Sequence, residues 1–140
     1  SRRLLIRKQT MKVLVSDPIE QVCVDLLTSE GFQVYVKPGR PFSELLRLVG
    51  DYDVLIVRSS TDVNSELISA GRNLKIIGRA GAGVDNIDVE AATRRGIIVM
   101  NTPGGNTVST AEHTMSLLLS LSRNIPQANE SLKAGKWDRN

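Results

Sequence analysis

The stretch DVLIVRSST, residues 53–61, decides the fold class of this 140-residue chain. Between its aspartate and its arginine it is apolar at every position, without the alternation expected of a strand that has one solvated face. Comparable short runs stand at 12–16, 32–36, 74–80 and 97–101. Stretches with helical spacing separate these runs, as expected for parallel strands joined by helical crossovers. The sequence therefore predicts an α/β fold, a parallel sheet of about five strands with helices on both faces.

Helix signals lie between the predicted strands. Asp17-Pro18 with Glu20 resembles a capping box, and Gly31 is a plausible stop for the helix that follows. Between these signals, five residues fall on one helical face, which are Ile19, Val22, Cys23, Leu26 and Leu27. The remaining helices are predicted at 42–49, 64–70, 88–95, 106–124 and 128–134. In two of them the boundaries carry their own signals, since Asp88 suits an N-cap and Gly71 a helix end.

The net formal charge of +3 is concentrated at the amino terminus. The first ten residues hold four basic side chains and no acidic one, so the rest of the chain, which holds all 15 acidic residues, is close to neutral. That body lacks the basic footprint of a nucleic-acid-binding protein, and no nucleic-acid partner is expected. The leader at 1–10 is a tag, the remnant of an organellar transit peptide or a native extension. We expect a cytoplasmic protein, or an organellar one if the leader is a transit remnant.

The single cysteine and the single histidine narrow the possible chemistry further. Cys23 has no partner for an intramolecular disulfide, which fits a reducing compartment or simply a buried small hydrophobic side chain. With one histidine, His113, and no acidic cluster beside it, no metal site is expected. The neighbouring Glu112 points about 100° away on a helix, so a structural role is expected for His113. No apolar run approaches the roughly 18 residues that span a bilayer, so no membrane partner is expected.

Polar and glycine residues follow three of the predicted strands. Arg58 begins the segment RSST, Arg79 precedes Gly81-Ala82-Gly83, and Asn101 precedes a loop of glycine and amide residues. Ligands of open α/β sheets bind beyond the carboxyl ends of the strands. Guanidinium groups and glycine amides there would suit a carboxylate or a phosphate. The alternative is that both arginines are solvated charges at strand ends.

The segment Gly81-Ala82-Gly83 resembles the beginning of a dinucleotide-binding fingerprint, but the pattern does not continue. The third glycine would stand at position 86, which is Asn86. The acidic residue about 20 positions further on would end the next strand, which instead ends in Asn101. Any nucleotide phosphates are therefore expected to be held elsewhere.

The predicted helix at 106–124 is apolar nearly all round. Met115, Leu118 and Leu119 lie on one side of it, and Leu117 and Leu121 lie on the other. A helix of this kind is normally buried. We therefore expect it to pack against a second domain or a second subunit.

Four motifs in this order resemble the D-isomer-specific 2-hydroxyacid dehydrogenase family. They are RSST at 58–61, GRAGAGVDNID at 78–88, VMNTPGGNTVSTAEHT at 99–114 and GKW at 135–137. The resemblance runs from Met11 to the end of the chain.

The resemblance implies a two-domain NAD-dependent enzyme. Residues 11–101 would form a flavodoxin-like substrate-binding domain, which in the family is completed by a returning C-terminal segment. Residues 102–140 would be the linker and first helix of a truncated Rossmann domain, which would hold most of the NAD. The helix at 106–124 would cross into that domain and help to form a homodimer or homotetramer.

The resemblance also implies roles for individual residues. Arg58, Ser59, Arg79 and Asn106 would bind a phosphorylated 2-hydroxy acid. Ala82 would lie at the nicotinamide end of the cofactor, where close relatives often have threonine, so only a backbone or packing contact is expected. The family's catalytic arginine, glutamate and histidine lie beyond residue 140, so no catalytic residue is expected in this chain. We thus expect a fragment that is inactive alone; the alternative is a free-standing flavodoxin-like module that binds an anion or regulates.

Overall fold

The computed structural model describes residues 10–137, so the basic leader lies outside the described residues except for Thr10. The chain forms two compact units, one ending at Pro103 and one beginning at Gly104. The elements of the first unit are, in chain order, β1 (Lys12–Val15), α1 (Gln21–Ser29), β2 (Gln33–Val36), α2 (Phe42–Leu48), β3 (Val54–Val57), α3 (Ser65–Ala70), β4 (Ile76–Arg79), α4 (Val89–Arg94) and β5 (Ile98–Asn101).

The five strands form one parallel sheet in the order β2-β1-β3-β4-β5. The predicted α/β fold class is confirmed. The register aligns the last residues of three strands, because Val57 pairs with Arg79 and Arg79 pairs with Asn101. The chain moves outward in one direction from β1 to β2 and in the other direction from β3 onward. Ligand-binding crevices of open α/β sheets lie at this reversal, here between β1 and β3.

The larger core lies between one face of the sheet and three helices. Leu14, Leu55 and Ile77 extend from the strands and are fully buried. The helices α2, α3 and α4 cover them with a set of buried side chains that includes Leu45, Leu67, Ile68, Ala91 and Ala92. Since these strand residues alternate with residues of the opposite face, the continuous apolar runs in the sequence reflect two covered faces.

On the other face of the sheet, helix α1 covers one end among the described residues of the first unit. Val13, Val15 and Val54 are buried there beneath α1, which contributes Leu27. At the far end, Ile98 and Met100 on the edge strand β5 are 59% and 56% exposed. Helices therefore lie on both faces, as predicted, but the second face keeps an open apolar region over β5.

Local signals for helix boundaries match the structure at several positions. The side chain of Asn64 accepts a hydrogen bond from Leu67 N at 3.0 Å, and Asp88 accepts one from Ala91 N at 2.8 Å. Gly31 follows α1 with a φ of +88°, a conformation that favours glycine. Strands and helices are shorter than predicted by one or two residues at most ends.

The predicted capping box at Asp17 is wrong. Helix α1 begins at Gln21, and Glu20 occupies the N-cap position in an extended conformation without a side-chain cap. The Asp17 carboxylate cannot serve as the cap because it accepts hydrogen bonds from the segment that follows β3. A tertiary contact thus takes the side chain that the local pattern assigned to the helix.

The apolar face of α1 is only partly covered. Ile19 and Leu27 pack against the sheet, whereas Val22 and Leu26 are 68% and 62% exposed. Cys23 is also exposed, so the interpretation of this cysteine as a buried hydrophobic side chain is wrong.

The second unit consists of α5 (Thr107–Ser122) and α6 (Ile125–Lys133) in its described part. Asn124 separates the two helices in a left-handed conformation with a φ of +50°. Because the chain turns there, α6 begins three residues before the predicted position 128. Helix α5 buries none of its residues, and its leucines 117, 118, 119 and 121 are more than half exposed. Neither helix is long and apolar enough to cross a bilayer, and this holds throughout residues 10–137.

Asp53 links two strands at the amino edge of the sheet. Its carboxylate accepts hydrogen bonds from Lys75 Nζ at 2.7 Å and from the backbone N–H of Lys12 at 2.9 Å. These bonds to Lys75 and Lys12 lower the pKa of Asp53 below its ordinary value. A lowered pKa in the folded state stabilises the fold above the unfolded-state pKa of about 3.9. That contribution is lost as the pH falls through the lower folded-state pKa.

Replacing Asp53 by asparagine therefore lowers the melting temperature slightly at neutral pH, and the difference from the parent shrinks as the pH falls below about 4. Thermal unfolding across this pH range measures the effect. Asp51→Asn is the matched control because it removes the same charge from an exposed side chain two residues away. A constant difference between parent and Asp53→Asn at every pH would contradict the role of the ion pair.

Candidate functional site

The candidate site lies at the carboxyl edge of the sheet, where the strand order reverses. Asp17 follows β1 by two residues, and the segment Arg58–Thr61, here called the RSST loop, follows β3 directly. Because β1 and β3 are adjacent and parallel, their carboxyl ends bring these segments together. The loop therefore occupies the position where this class of sheet binds ligands.

The Asp17 side chain binds the RSST loop through backbone N–H groups. It is 2% exposed, and its Oδ2 accepts hydrogen bonds from Arg58 N at 2.6 Å and Thr61 N at 3.1 Å. Its Oδ1 accepts a hydrogen bond from the Thr61 hydroxyl at 2.7 Å. The Ser16 hydroxyl lies 3.0 Å from the same Thr61 oxygen. A carboxylate is costly to bury without such donors, and three are supplied here by two residues.

The Asn86 side chain holds the same loop through its carbonyl groups. Its Nδ2 donates to Arg58 O at 2.7 Å and to Thr61 O at 2.6 Å. Nearby, Val63 and Ile87 form a short parallel bridge that ties the chain around Asn86 to the segment after the loop. The position of the missing fingerprint glycine is thus occupied by an asparagine whose side-chain amide binds the RSST loop.

The Arg58 guanidinium is the cationic group of the RSST loop. The residue is exposed, and in the part of the chain that the structure describes its side chain makes one long hydrogen bond, from Nη1 to Pro18 O at 3.5 Å. Ser59 and Ser60 beside it are exposed as well. An arginine on a fixed backbone with an uncommitted planar fork is well suited to a carboxylate or a phosphate.

Arg79 differs from Arg58 because its side chain is committed within its own loop. Only 11% of the side chain is exposed, and Nη1 donates to Gly83 O at 2.7 Å. Nη2 lies 3.4 Å from Asp85 Oδ1, which neutralises part of the charge. The Arg79 Nε is buried and donates to none of the described residues. The structure therefore places Arg79 at the predicted edge of the sheet but gives it a clear structural role.

The glycines at 81 and 83 make room for Arg79. A Cβ at Gly81 would lie 2.9 Å from Arg79 Nη1, and one at Gly83 would lie 2.8 Å from Asp85 Oδ1. The two glycines therefore leave space for the Arg79 guanidinium and the Asp85 carboxylate.

The other predicted site residues are placed as follows. Ala82 is exposed, and its carbonyl accepts a hydrogen bond from Asn101 Nδ2 at 2.6 Å. Asn106 belongs to the second unit, where it precedes α5 as an N-cap without a side-chain cap. His113 is exposed on α5. The described residues contain no group of three side chains suited to hold a metal ion.

The pattern of the sequence did not reveal the two residues that organise the loop. The sequence predicts a helix cap at Asp17, and at Asn86 it shows only that the third glycine of the fingerprint is missing. A signal was present in both cases, since each is a hydrogen-bonding side chain within a few residues of a predicted strand end or loop at the carboxyl edge. Local spacing does not show that both side chains bind the RSST loop, which follows a different strand.

Residues 13–135 match the family described as D-isomer specific 2-hydroxyacid dehydrogenase, catalytic domain. The chain belongs to this family. Curated relatives named D-3-phosphoglycerate dehydrogenase include one from Archaeoglobus fulgidus, 56% identical over 129 residues that make up 92% of this chain. Another, from Synechocystis, is 53% identical over 137 residues. The matched region is 24% of the length of each of these relatives, so the chain spans about a quarter of them.

Solved structures of the same family share the fold. A protein from Thermus thermophilus matches with a TM-score of 0.82 and 34% identity, covering 93% of this chain and 42% of that one. An NAD⁺-bound 3-phosphoglycerate dehydrogenase from Entamoeba histolytica matches with a TM-score of 0.71 and 36% identity, covering 79% of this chain and 39% of that one.

Proposed function

We propose that this chain is the substrate-binding portion of an NAD-dependent D-3-phosphoglycerate dehydrogenase. The reaction is the reversible oxidation of 3-phospho-D-glycerate to 3-phosphohydroxypyruvate, the first step of the phosphorylated route to L-serine. The observation that carries the proposal is the exposed Arg58 on the RSST loop at the reversal of the sheet. The identity of 56% to a relative of that name supports the choice of substrate within the family.

In this function the chain binds and orients the substrate. Arg58 and Ser59 take an anionic group of the substrate, which carries both a carboxylate and a phosphate. Arg79 lies at the same edge of the sheet and supports the substrate site, chiefly by holding the loop between Gly81 and Asp85 in place. Asn106 contacts the substrate near the nicotinamide.

NAD is the proposed cofactor, and it would accept the hydride from the substrate. The Entamoeba relative is NAD⁺-bound, which supports this choice. In this chain the family resemblance points to Ala82 as the contact with the nicotinamide end, and Ala82 is exposed. The glycine fingerprint for the cofactor's phosphates is incomplete, because Asn86 stands where its third glycine would be. Residues 10–137 therefore offer a contact with NAD rather than a cradle for it.

Helix α5 is the proposed contact between subunits of a homodimer or homotetramer. Its exposed leucines form a surface that water solvates poorly. A cytoplasmic location is proposed for the enzyme, with an organelle as the alternative if the leader is a transit remnant.

Replacing Arg58 by alanine in the full-length protein should raise the KM for 3-phosphoglycerate by about 10- to 100-fold. A hydrogen bond to a charged group contributes about 1.5–3 kcal/mol, which corresponds to this range. Arg58→Lys should recover only part of the loss, because lysine keeps the charge but not the planar fork. Initial rates of NADH formation measure both variants.

The matched control is Arg94→Ala, which removes an exposed arginine paired with Glu90 on α4 of the same unit. It should leave the KM for 3-phosphoglycerate within about twofold of the parent. Parental kinetics in Arg58→Ala would mean that Arg58 is a solvated charge at a strand end. A full-length parent that binds 3-phosphoglycerate but forms no NADH would favour a binding or regulatory module.

A further inference from the structure

The RSST loop is held at both ends by two side chains of opposite hydrogen-bonding character. Asp17 accepts from the backbone N–H groups of Arg58 and Thr61, at 2.6 and 3.1 Å. Asn86 donates to the backbone carbonyls of the same two residues, at 2.7 and 2.6 Å. All four backbone polar groups of these two residues are therefore bound by side chains from other loops.

The chemistry of each side chain matches its place. A carboxylate oxygen accepts several hydrogen bonds and donates none, as required beside two N–H groups. Only the amide nitrogen of Asn86 has two protons to share between two carbonyls, so the orientation of this amide follows from its partners. Asp17 is almost fully buried, and Asn86 is partly buried. The loop backbone is thus fixed by groups that have few other positions available.

Neither side chain has a hydrogen bond to the Arg58 guanidinium within the described range. Asp17 and Asn86 can therefore affect a ligand of Arg58 only through the backbone of the RSST loop. A displacement of about 1 Å at a site can cost about 100-fold in rate, because a bidentate contact tolerates little misplacement. A fixed Arg58 Cα therefore matters most when the arginine binds a ligand.

We propose that Asp17 and Asn86 are positioning residues, which hold the RSST loop so that Arg58 is directed at the substrate anion. This inference rests on the proposed function, in which Arg58 binds that anion. It assigns a role in substrate affinity to two residues that make no contact with the substrate themselves.

The first test is Asn86→Asp in the full-length protein. The aspartate has almost the same shape but places an acceptor against two carbonyls, so it should release the loop. The KM for 3-phosphoglycerate should rise about 10-fold or more, while the KM for NAD should change by less than about twofold. Hydrogen exchange at the amides of Arg58 and Thr61 should become at least about 10-fold faster.

Asp17 is tested with a conservative and a disruptive replacement. Asp17→Asn keeps an oxygen for the two N–H groups and can donate from its nitrogen to the Thr61 hydroxyl oxygen. Asp17→Ala leaves both N–H groups without an acceptor. The asparagine variant should therefore retain most of the substrate affinity that the alanine variant loses.

A double mutant distinguishes positioning from general stability. In an Arg58→Ala background, Asn86→Asp should raise the KM by less than about twofold further, because no guanidinium remains to be directed. Asp88→Ala is the matched control, since it removes a helix N-cap two residues from Asn86. It should lower the melting temperature without changing the KM for 3-phosphoglycerate.

Additive effects of Asn86→Asp and Arg58→Ala would overturn the proposal, as would a parental KM in Asn86→Asp. If Asn86→Asp does not fold, the contrast between Asp17→Asn and Asp17→Ala decides in its place. A full-length parent that does not oxidise 3-phosphoglycerate refutes the proposed function. Hydrogen exchange then remains as the test of whether Asp17 and Asn86 hold the RSST loop. Unchanged exchange at Arg58 and Thr61 in Asp17→Ala would then overturn it, and faster exchange would support it.

Discussion

Full-length protein carrying Leu117→Glu and Leu121→Glu should sediment as a smaller species than the parent at the same concentration. These side chains are 58% and 75% exposed, lie one turn apart on α5 and form an apolar strip. Burial of one leucine stabilises by about 1.5–3 kcal/mol, and a symmetric dimer would bury four. The dissociation constant should therefore rise at least about 1,000-fold, which corresponds to about 4 kcal/mol. Sedimentation velocity over a range of concentrations measures the shift.

The matched control adds the same two charges to the same helix. Ser109→Glu and Ser116→Glu replace exposed side chains that lie away from the strip. This control should sediment like the parent. A parent that is monomeric at every concentration, or a leucine variant that sediments like the parent, would show that α5 is not the contact between subunits.

Leu55→Ala should lower the free energy of unfolding by about 2–5 kcal/mol, the second largest effect that the structure predicts. Leu55 is fully buried at the centre of the sheet, between β1 and β4, and packs in the larger core. The truncation removes apolar contacts and leaves a cavity that neighbouring strands cannot close without breaking their register. Urea unfolding followed by far-UV circular dichroism measures the loss.

Leu26→Ala on α1 is the matched control for Leu55→Ala. The chemical change is identical, but Leu26 is 62% exposed and adds little to the core. It should change the free energy of unfolding by less than about 1 kcal/mol. Equal losses in the two variants would mean that Leu26 is covered in solution.

The fold could be predicted because its signals are local. The apolar run at Val54–Val57 and the capping residues Asn64 and Asp88 report on their own neighbourhoods, and the structure follows them. The long helix was placed correctly to within two residues at each end. The surface that packs against this helix could not be predicted from spacing. An apolar helix face indicates that it is covered but does not identify the covering element.

The candidate site could be predicted only in its outer part. Arg58 and Arg79 stand out in the sequence because they follow consecutive predicted strands beside small polar residues, yet one is exposed and the other is mostly buried. Spacing does not reveal that Asp85 pairs with one arginine and that the other is left exposed. The hydrogen bonds of Asp17 and Asn86 to the RSST loop join residues 41 to 44 and 25 to 28 positions apart, which no local pattern encodes.

The strand order β2-β1-β3-β4-β5 has a consequence for synthesis on the ribosome. The pair β1 and β2 emerges first, β3 then adds to the free edge of β1, and β4 and β5 each add to the newest edge. In the described sheet, no strand has to enter between two that are already paired. At about 5–20 residues per second, each strand has time to dock before its successor leaves the exit tunnel. The nascent sheet can therefore grow at one edge, in the order of translation, without reopening a completed ladder.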